Sequence, residues 1–506
     1  MAPSSSSSNC RFLQPQLPDE CWESVFKHLS HHPHDHESLS LVSRHFFSLT
    51  NRIRTHLTIS DRLLPHLPAL LCRFTSLTSI SNSRRSTSPV TSTRSSPKSL
   101  PSTYPSSIPS TSLTNTPSPQ MGCDNSPKNL HVKALASGLK KLRKVDLSGT
   151  YMLGDSSIFT LCQNCGSLEV LVVHQTSSLS NVGFANAIRK RPQLRTLGVR
   201  IGNVTSELID ALVSLKDLTC LHLSYSRIPD EALCVLAEGG LPLRKLSLPG
   251  SKGYGYSGIS CLLKKCNNLQ YLDLQGTQFL NDECVIELSL LLGNLKVVKL
   301  SGNENLTDLS LFTIMLNCPL ISEIRMDSTG VGKLKLEEDC LVVNSHLKFL
   351  YLAHNKWLDD GSVTMLASVC PNLEMIDLTY CMRVLKGAID VLQRCCKIQH
   401  MDLVHLGCDL PSFRFQFRVN FEVPTLLVLN LSRCRISDEE LSYFKELLQQ
   451  LRMVSLYCCE KVCSDVVAWM IFVRPSLRKI GAPPQFHFAD DGQQDLFLRH
   501  GCFVAL

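Results

Sequence analysis

Several features of common protein classes are missing from this 506-residue sequence, and each absence narrows what the chain can do. Aromatic residues make up only 7% of it, and basic side chains outnumber acidic ones by just seven. Nucleic-acid-binding proteins usually carry a clustered basic surface with interleaved aromatic residues, so this composition predicts no nucleic-acid partner. The sequence also lacks the run of about 18 apolar residues that a membrane-spanning helix needs, and its first ten residues lack the layout of a signal peptide. We therefore expect a protein of the cytoplasm or nucleus.

Motifs of catalysis and of metal binding are also missing. We find no phosphate-binding glycine motif and no nucleophile elbow, which predicts a chain that is not an enzyme and needs no cofactor. The pair Cys162 and Cys165 and the group Cys458, Cys459 and Cys463 have no second pair at zinc-site spacing, so no metal site is predicted. The 23 cysteines are an odd number, and in a reducing compartment we expect free thiols.

One segment has almost nothing to bury. Between Ser81 and Lys128, 30 of 48 residues are Ser, Thr or Pro, and five basic side chains face one acidic side chain. This composition predicts disorder, and it holds more than half of the positive surplus of the chain. Its Ser-Pro and Thr-Pro steps are hypothetical phosphorylation sites, at Ser88, Ser96, Thr116, Ser118 and Ser126.

Internal repetition dominates the sequence after this segment. Fourteen units share a pattern of apolar residues at their first, fourth and sixth positions, and successive units start 24 to 28 residues apart. That spacing lies in the range of leucine-rich repeats. The units begin at Leu142, Leu168, Leu194, Leu218, Leu243, Leu269, Leu295, Ile321, Leu347, Leu373, Ile398, Leu426, Leu451 and Leu477. Because side chains alternate along a strand, each unit predicts a short strand with these apolar residues inward.

A helix is expected after each strand. About a dozen residues into many units stands an acidic or hydroxyl residue that is able to cap a helix: Asp155, Asp230, Asp282, Asp308, Asp359 and Ser437. Ser437 and Glu440 form a capping box. Many cysteines recur at matching points, before the strand at Cys165, Cys266, Cys318 and Cys370, and after it at Cys381 and Cys434. We interpret these thiols as small buried hydrophobes that fill the turns of the stack.

The N-terminal part has a different pattern. Pro18 with Asp19 suits the start of a helix, and Trp22, Val25, Phe26 and Leu29 form one apolar stripe. A second stripe consists of Leu39, Val42, Phe46 and Leu49. Two short amphipathic helices bury little surface by themselves, so we expect them to pack against a partner or against the repeats.

These residues resemble an F-box: the Leu17-Pro18 opening, the helix with Trp22, and the Leu-x-Leu-Val-Ser-Arg run at Leu39–Arg44. Together with the cysteine-containing repeats, the chain resembles the F-box/leucine-rich-repeat family, apparently of plant type. It departs from the F-box pattern where Phe46 and Phe47 stand in place of the usual Trp, and where a histidine-rich loop, His31–His36, separates the helices.

The resemblance implies a substrate receptor of an SCF-type ubiquitin ligase. Its F-box would bind a Skp-type adaptor attached to cullin, and its repeats would hold the target protein for ubiquitin-dependent proteasomal degradation. The implied fold is an α/β solenoid, a leucine-rich-repeat horseshoe with a concave parallel sheet and convex helices, preceded by a small all-α F-box. The implied adaptor-binding residues are Leu17, Pro18, Trp22, Val25, Phe26, Leu29, Leu39, Val42 and Phe46.

The sequence predicts six segments. They are a disordered tail at 1–12, the F-box helices at 13–55, two degenerate first repeats at 56–80, a disordered insertion at 81–129, the solenoid at 130–490 and a C-terminal cap at 491–506. The two early repeats rest on the strand-like stretches HLTIS, from His56, and LTSI, from Leu77.

The outward strand positions predict where a target protein binds. Aromatic residues and arginine are enriched at binding hot spots. One run of consecutive units carries such residues at its outward positions and forms an apolar and basic patch: Lys299, Arg325, Phe349, Tyr351 and Met375. An ordinary solvated surface is the alternative interpretation of the same residues.

Two alternative functions remain open. Because a fold does not fix a function, the chain is also compatible with a repeat scaffold that acts outside any ligase. A small-molecule, hormone-like co-receptor is less favoured, because the outward strand positions supply only Arg200, Lys245, Lys299 and Arg325 as basic groups.

The segment Pro411–Pro424 alternates Phe and Arg residues, which either pack on the convex side or project as a recognition loop.

Overall fold

The computed structural model describes residues 17–29, 35–59, 73–74, 76–82, 141–150, 153–174, 179–334, 342–384, 386–406, 423–441 and 450–506. The chain divides into two compact units, Met1–Arg191 and Pro192–Leu506. The predicted tail, nearly all of the predicted insertion and most of the Phe- and Arg-rich segment lie outside the described residues.

The first unit begins with three helices, where the sequence predicted two. They are α1 (Asp19–Leu29), α2 (Asp35–Ser40) and α3 (Arg44–Ile53). The second predicted stripe is therefore divided, because the Ser43 hydroxyl accepts a hydrogen bond from the Phe46 amide at 3.1 Å and starts a new helix. Helix α2 also begins inside the predicted histidine-rich loop.

The same unit continues with four parallel strands. They are β1 (His56–Ile59), β2 (Ser79–Asn82), β3 (Lys144–Asp146) and β4 (Val170–Val173), paired in chain order. Helices α4 (Asp155–Asn164) and α5 (Asn181–Ile188) follow β3 and β4. Strand β2 includes Ser81 and Asn82, at the predicted start of the insertion, and the buried side-chain amide of Asn82 donates to the Ser148 carbonyl at 2.8 Å.

The second unit is a leucine-rich-repeat solenoid, which confirms the predicted fold class. Its thirteen strands pair in parallel in chain order, and nine described helices connect them. The elements are β5 (Thr196–Val199), α6 (Ser206–Val213), β6 (Cys220–Leu223), α7 (Asp230–Glu238), β7 (Lys245–Ser247), α8 (Tyr256–Lys265), β8 (Tyr271–Asp273), α9 (Asp282–Ser289), β9 (Val297–Lys299), α10 (Asp308–Asn317), β10 (Glu323–Arg325), β11 (Phe349–Tyr351), α11 (Asp360–Val369), β12 (Met375–Asp377), α12 (Lys386–Arg394), β13 (His400–Asp402), β14 (Val428–Asn430), β15 (Met453–Ser455), α13 (Ser464–Val473), β16 (Lys479–Gly481), α14 (Asp491–Arg499) and β17 (Phe503–Ala505).

The apolar periodicity places the core where the sequence predicted it. In the unit that starts at Leu142, for example, Leu142, Val145 and Leu147 are all buried. Strand β17 was missed, because its sequence lacks the leucine pattern, yet it pairs with β16. No helix in the described part of the chain is long and apolar enough to cross a membrane.

Of the six predicted caps, Asp359 and Ser437 cap their own helices, whereas the other four, Asp155, Asp230, Asp282 and Asp308, bond to the following repeat. Asp230, Asp282 and Asp308 are the first residues of their helices, and each carboxylate accepts backbone N–H groups at the corresponding point of the following repeat. Asp282, for example, accepts from the Thr307 amide at 2.9 Å, one residue before α10. At Asp230 and Asp282 these bonds join neighbouring helices at their N-termini, where negative charge is favourable. Asp308 instead accepts from the Gly332 and Leu334 amides, in a repeat that has no helix among the described residues. The predicted capping box of Ser437 and Glu440 is confirmed.

Candidate protein-binding surfaces

The aromatic residues of the N-terminal helices pack against one another. The ring centroid of Phe46 lies 4.9 Å from those of both Trp22 and Phe26. Phe26 is 1% exposed and forms a buried cluster with Leu49 and Ile53. Leu39 packs on the same cluster. Four of the nine predicted adaptor-binding residues, Trp22, Phe26, Leu39 and Phe46, therefore build the interior of this module.

The other five predicted adaptor-binding residues face solvent. Leu17 and Leu29 are each 51% exposed, Val25 is 42% exposed and Val42 is 65% exposed, and Pro18 is exposed as well. Leu41 is 86% exposed and was missed, although it adjoins Val42 in the F-box-like run. We call these six residues the apolar strip. These six residues are candidates for an interaction surface, because large exposed apolar side chains gain free energy when a partner covers them.

Charged side chains tie α3 to α1. The Arg52 guanidinium lies 2.7 Å from carboxylate oxygens of both Asp19 and Glu23, and His45 lies 3.3 Å from Asp19. The hydrogen bond to Asp19 raises the pKa of Arg52.

The predicted target-binding patch comes together on the open face of the sheet, opposite the helices. Lys299, Arg325 and Tyr351 are direct partners in neighbouring strands β9, β10 and β11. Phe349 and Met375 are partners in β11 and β12, and all five side chains are half-buried. Strand register alone accounts for this cluster, since residues equally placed in successive repeats lie side by side.

The charge of the patch is more balanced than the sequence indicated. The Arg325 Nε lies 2.7 Å from the Glu323 carboxylate, and its guanidinium carbon lies 3.6 Å from the centroid of the Tyr351 ring. Burial, the largest single influence, opposes the charge of Arg325, but the hydrogen bond to Glu323 and the charges of Tyr351, Glu323 and Asp327 together outweigh burial, so the pKa of Arg325 is raised. Burial, with the nearby Arg325, lowers the pKa of Lys299. The description of the patch as apolar and basic was therefore incomplete, because Glu323 neutralises one of its cations.

Acidic residues continue the same row. Asp377 and Asp402 follow Tyr351 in β12 and β13, and Asp402 lies 3.2 Å from the imidazole of His400. Burial, with Asp402 and Asp327 nearby, raises the pKa of Asp377 to about 6. The row therefore passes from cations at Lys299 and Arg325 to carboxylates within four strands, a polarity that would orient a bound partner.

A second row lies just beyond the strands, at the eighth position of each unit, and the sequence interpretation missed it. From the unit that starts at Leu218 to the one that starts at Leu451, the backbone at this position adopts positive φ. Tyr225 comes first, Gly250, Gly276 and Gly302 follow in three successive repeats, and then non-glycine residues take over. Those are Ser328, His354, Tyr380, His405, Arg433 and Cys458, with φ between 53° and 61°. A non-glycine residue in this conformation costs roughly 1 to 2 kcal/mol. The sequence does contain a sign of this row, because the eighth position is glycine in three successive repeats and later becomes histidine, tyrosine and arginine.

The rings of this row pack against one another, His354 stacked on Tyr380 and His405 tilted against it by 33°. The imidazole of His354 and the ring of Tyr380 are 4.7 Å apart and inclined by only 11°, and His405 lies 4.7 Å from the other side of Tyr380. The Arg433 guanidinium donates to the Tyr380 hydroxyl at 2.8 Å. We call His354, Tyr380, His405 and Arg433 the ring ladder.

The buried thiols are unreactive. Cys165, Cys266, Cys318 and Cys370 are buried at the ends of helices. Burial raises the pKa of Cys165 and Cys266 to about 11 and that of Cys318 to about 12, so the nucleophilic thiolate is scarce. Among the described residues no group of three or more side chains is arranged to hold a metal ion.

Comparisons with known proteins agree with this architecture. The family described as Leucine Rich repeat matches residues 265–289, 343–367 and 424–443. The chain is 28% identical over 225 residues to F-box/LRR-repeat protein 4 of Bos taurus, a stretch that covers 42% of this chain and 35% of that protein. The chain therefore spans about a third of the length of this relative. Its sequence relationship is to a protein named for an F-box and leucine-rich repeats.

A solved structure supports the fold alone. The crystal structure of the Rad7 and Elc1 complex in yeast superposes with a TM-score of 0.51 at 18% identity, covering 72% of this chain and 89% of that chain. At this identity, similarity of architecture does not carry a function from one protein to the other.

Proposed function

We propose that the chain is the substrate-recognition subunit of an SCF-type E3 ubiquitin ligase. In this proposal the apolar strip binds a Skp-type adaptor and, through it, cullin, while the open face of the sheet binds a target protein. The chain itself is non-catalytic, and a separate enzyme transfers ubiquitin before proteasomal degradation. The observation that carries the proposal is an exposed apolar strip on a closed aromatic core, in a chain that continues into leucine-rich repeats.

Physical arguments support the adaptor part. Below about 40 residues a helical module rarely folds by itself without additional support, and three helices of 11, 6 and 10 residues are close to that size. Burying a leucine or valine side chain contributes roughly 1.5 to 3 kcal/mol, and the strip offers five such side chains for burial against a partner. We include the plant-type assignment in this proposal. We also include a location in the cytoplasm or nucleus, because the proposed role needs reduced thiols and access to cullin.

The target part is supported by the patch around Arg325. A guanidinium stacked on a half-buried aromatic ring combines the two residue types most enriched at hot spots. The adjacent Phe349 and Met375 add apolar area, and the half-burial of all five side chains limits the conformational entropy lost on binding.

The adaptor proposal predicts that the double substitution Leu17→Ala/Val42→Ala weakens binding of a purified Skp-type adaptor at least tenfold. Both side chains are exposed, so helix content measured by circular dichroism should not change. Binding is measured by isothermal titration calorimetry with the full chain. The matched control is Leu290→Ala, since Leu290 is 70% exposed but lies outside the module. An unmodified chain that binds no adaptor would instead support a scaffold outside any ligase.

The target proposal predicts that Arg325→Ala/Tyr351→Ala abolishes capture of target proteins from proteasome-inhibited cells while adaptor binding is retained. Capture is quantified by mass spectrometry of proteins enriched over a chain-free control. The matched control is Arg200→Ala/Tyr225→Ala, which removes another cation–ring pair from the second compact unit. In that pair the Arg200 guanidinium carbon lies 5.4 Å from the centroid of the Tyr225 ring. Equal enrichment with the Arg325 variant and the unmodified chain would remove the patch from the proposal.

A further inference from the structure

The four residues of the ring ladder have positive φ, a backbone conformation that glycine would adopt with less strain. Each ladder backbone N–H donates to a carbonyl of the next repeat, from His354 to Thr379 at 2.7 Å and from Tyr380 to Val404 at 2.8 Å. The glycines Gly276 and Gly302 make the equivalent bonds to Ser301 and Asp327. The turn therefore does not need a side chain, and large side chains held in a strained conformation are a reason to look for a binding role.

Cations follow the positive-φ row within three residues along the chain, three of them after ladder residues and Lys461 after Cys458. The Lys356 ammonium lies 5.5 Å from the centroid of the Trp357 ring. Lys356, Arg383, Arg435 and Lys461 are all exposed, in the turns of four different repeats. In the described part of the chain, none of them forms an ion pair with a carboxylate. The described residues of these turns include one exposed carboxylate, that of Glu460. Nearby aspartates are already engaged, since Asp359 caps α11 and Asp360 accepts from the Gly387 amide.

We propose that the ring ladder and these four cations form a binding site for an acidic, extended peptide segment. The cations attract the carboxylates, and the ladder supplies a row of rigid rings and hydrogen-bonding edges beneath the peptide backbone. Rigid aromatic side chains lose little conformational entropy on binding, which suits them to this role. Charge complementarity identifies the peptide as acidic. The site differs from the patch around Arg325 and does not depend on any role in a ligase.

The dimensions of the site fix the length of the peptide. The cations span five successive turns, from the unit that starts at Leu347 to the one that starts at Leu451. Adjacent ladder rings are 4.7 Å apart, so four intervals cover about 19 Å. An extended peptide advances about 3.3 Å per residue, and about six residues would cover this distance.

The test uses fluorescein-labelled peptides of three, six and nine glutamates, titrated with the full chain and followed by fluorescence polarisation. Six glutamates should bind at least tenfold more tightly than three, and nine should add less than twofold beyond six. Arg383→Glu/Lys461→Glu should weaken the six-residue peptide at least tenfold. Binding should also weaken with added salt, since exposed charges are screened.

The matched control reverses two cations in the turns of earlier repeats, Arg227→Glu/Lys252→Glu, where the ladder is absent. This variant should bind the six-residue peptide within twofold of the unmodified chain. Equal losses in both reversals would overturn the proposal, because they would show a general charge effect. A uridine hexamer bound as tightly as the glutamates would overturn it in favour of nucleic acid.

A glycine substitution separates binding from structure. Tyr380→Gly should reduce affinity for the six-residue peptide at least threefold while leaving the thermal unfolding midpoint unchanged or higher, because glycine adopts positive φ without strain. The control is Tyr225→Gly, since Tyr225 has the same conformation with φ 49° but lies outside the ladder. Unchanged peptide affinity in Tyr380→Gly, or a fall of several degrees in its unfolding midpoint, would assign the ring a structural role and overturn the ladder's part in binding.

Discussion

Replacing Phe26 with alanine is expected to unfold the N-terminal helices and thereby to abolish adaptor binding. Phe26 is 1% exposed and its ring contacts those of Trp22, at 5.9 Å, and Phe46, at 4.9 Å. Removing a buried phenylalanine ring costs roughly 3 to 5 kcal/mol. This is comparable to the whole stability available to a module of three short helices. Hydrogen exchange of the α1 and α3 amides in the full chain measures the loss as a fall in protection.

The control for this prediction lies one residue away. Val25→Ala removes an exposed side chain of the apolar strip, 42% exposed, from the same helix. It should leave amide protection in α1 unchanged while weakening adaptor binding. If Phe26→Ala retained full protection, the aromatic cluster would not be the core that its ring distances indicate.

Replacing Asn355 with leucine is expected to open the solenoid locally, at a cost of roughly 3 to 5 kcal/mol. Asn355 is fully buried. Its side-chain oxygen accepts from the Thr329 amide at 2.8 Å, and its side-chain nitrogen donates to the Met326 and Leu352 carbonyls at 2.8 and 2.9 Å. Leucine has nearly the same shape but makes none of these bonds, so the Thr329 amide would be buried without a partner. Hydrogen exchange of the β10 and β11 amides measures the opening free energy.

The chain supplies its own comparison at the equivalent position of neighbouring repeats. Cys381 donates its thiol to the Leu352 carbonyl at 3.2 Å, and Leu406 occupies the same position without a polar side chain. Cys381→Ala should therefore cost less than Asn355→Leu, since a thiol makes a weak hydrogen bond. Equal losses in the two variants would mean that packing volume, rather than hydrogen bonding, holds this row together.

These equivalent positions change the interpretation of the cysteines. The sequence led us to describe them as small hydrophobes, and the buried fraction of Cys381 and Cys434 agrees with that. The structure adds that Cys434 and Cys459 donate to the Leu403 and Leu431 carbonyls at 3.0 and 3.1 Å. Spacing alone does not reveal a hydrogen bond to a carbonyl 28 to 31 residues earlier. In this row the thiols act as the asparagine does.

Much of the fold was predictable because a leucine-rich repeat is local and periodic. The first, fourth and sixth positions of each unit are inward by strand alternation, and the spacing of the units fixes the parallel register. Lys299, Arg325 and Tyr351 could therefore be grouped correctly before any coordinates were known. Strand β17 was not predicted, because Phe503 and Val504 do not continue the leucine pattern, although they pair with β16.

The candidate sites were less predictable because they depend on which side of a helix or turn is covered. An apolar stripe does not distinguish the inward Phe26 from the outward Val25, since both lie at helical spacing and only the packing of α3 decides between them. Likewise the charge of Arg325 was visible in the sequence, whereas its pairing with Glu323 depends on side-chain directions within one strand.

By itself, the sequence determined the repeat, its register and the buried face of each strand. Periodic burial of apolar side chains is sufficient for all three, since it depends only on local spacing. The tertiary structure alone decided which apolar residues of the module remain exposed, that aspartates bridge neighbouring helices, and that the rings of His354, Tyr380 and His405 pack against one another in strained turns. Each of these depends on contacts between residues that are distant in the chain, which a linear pattern does not encode.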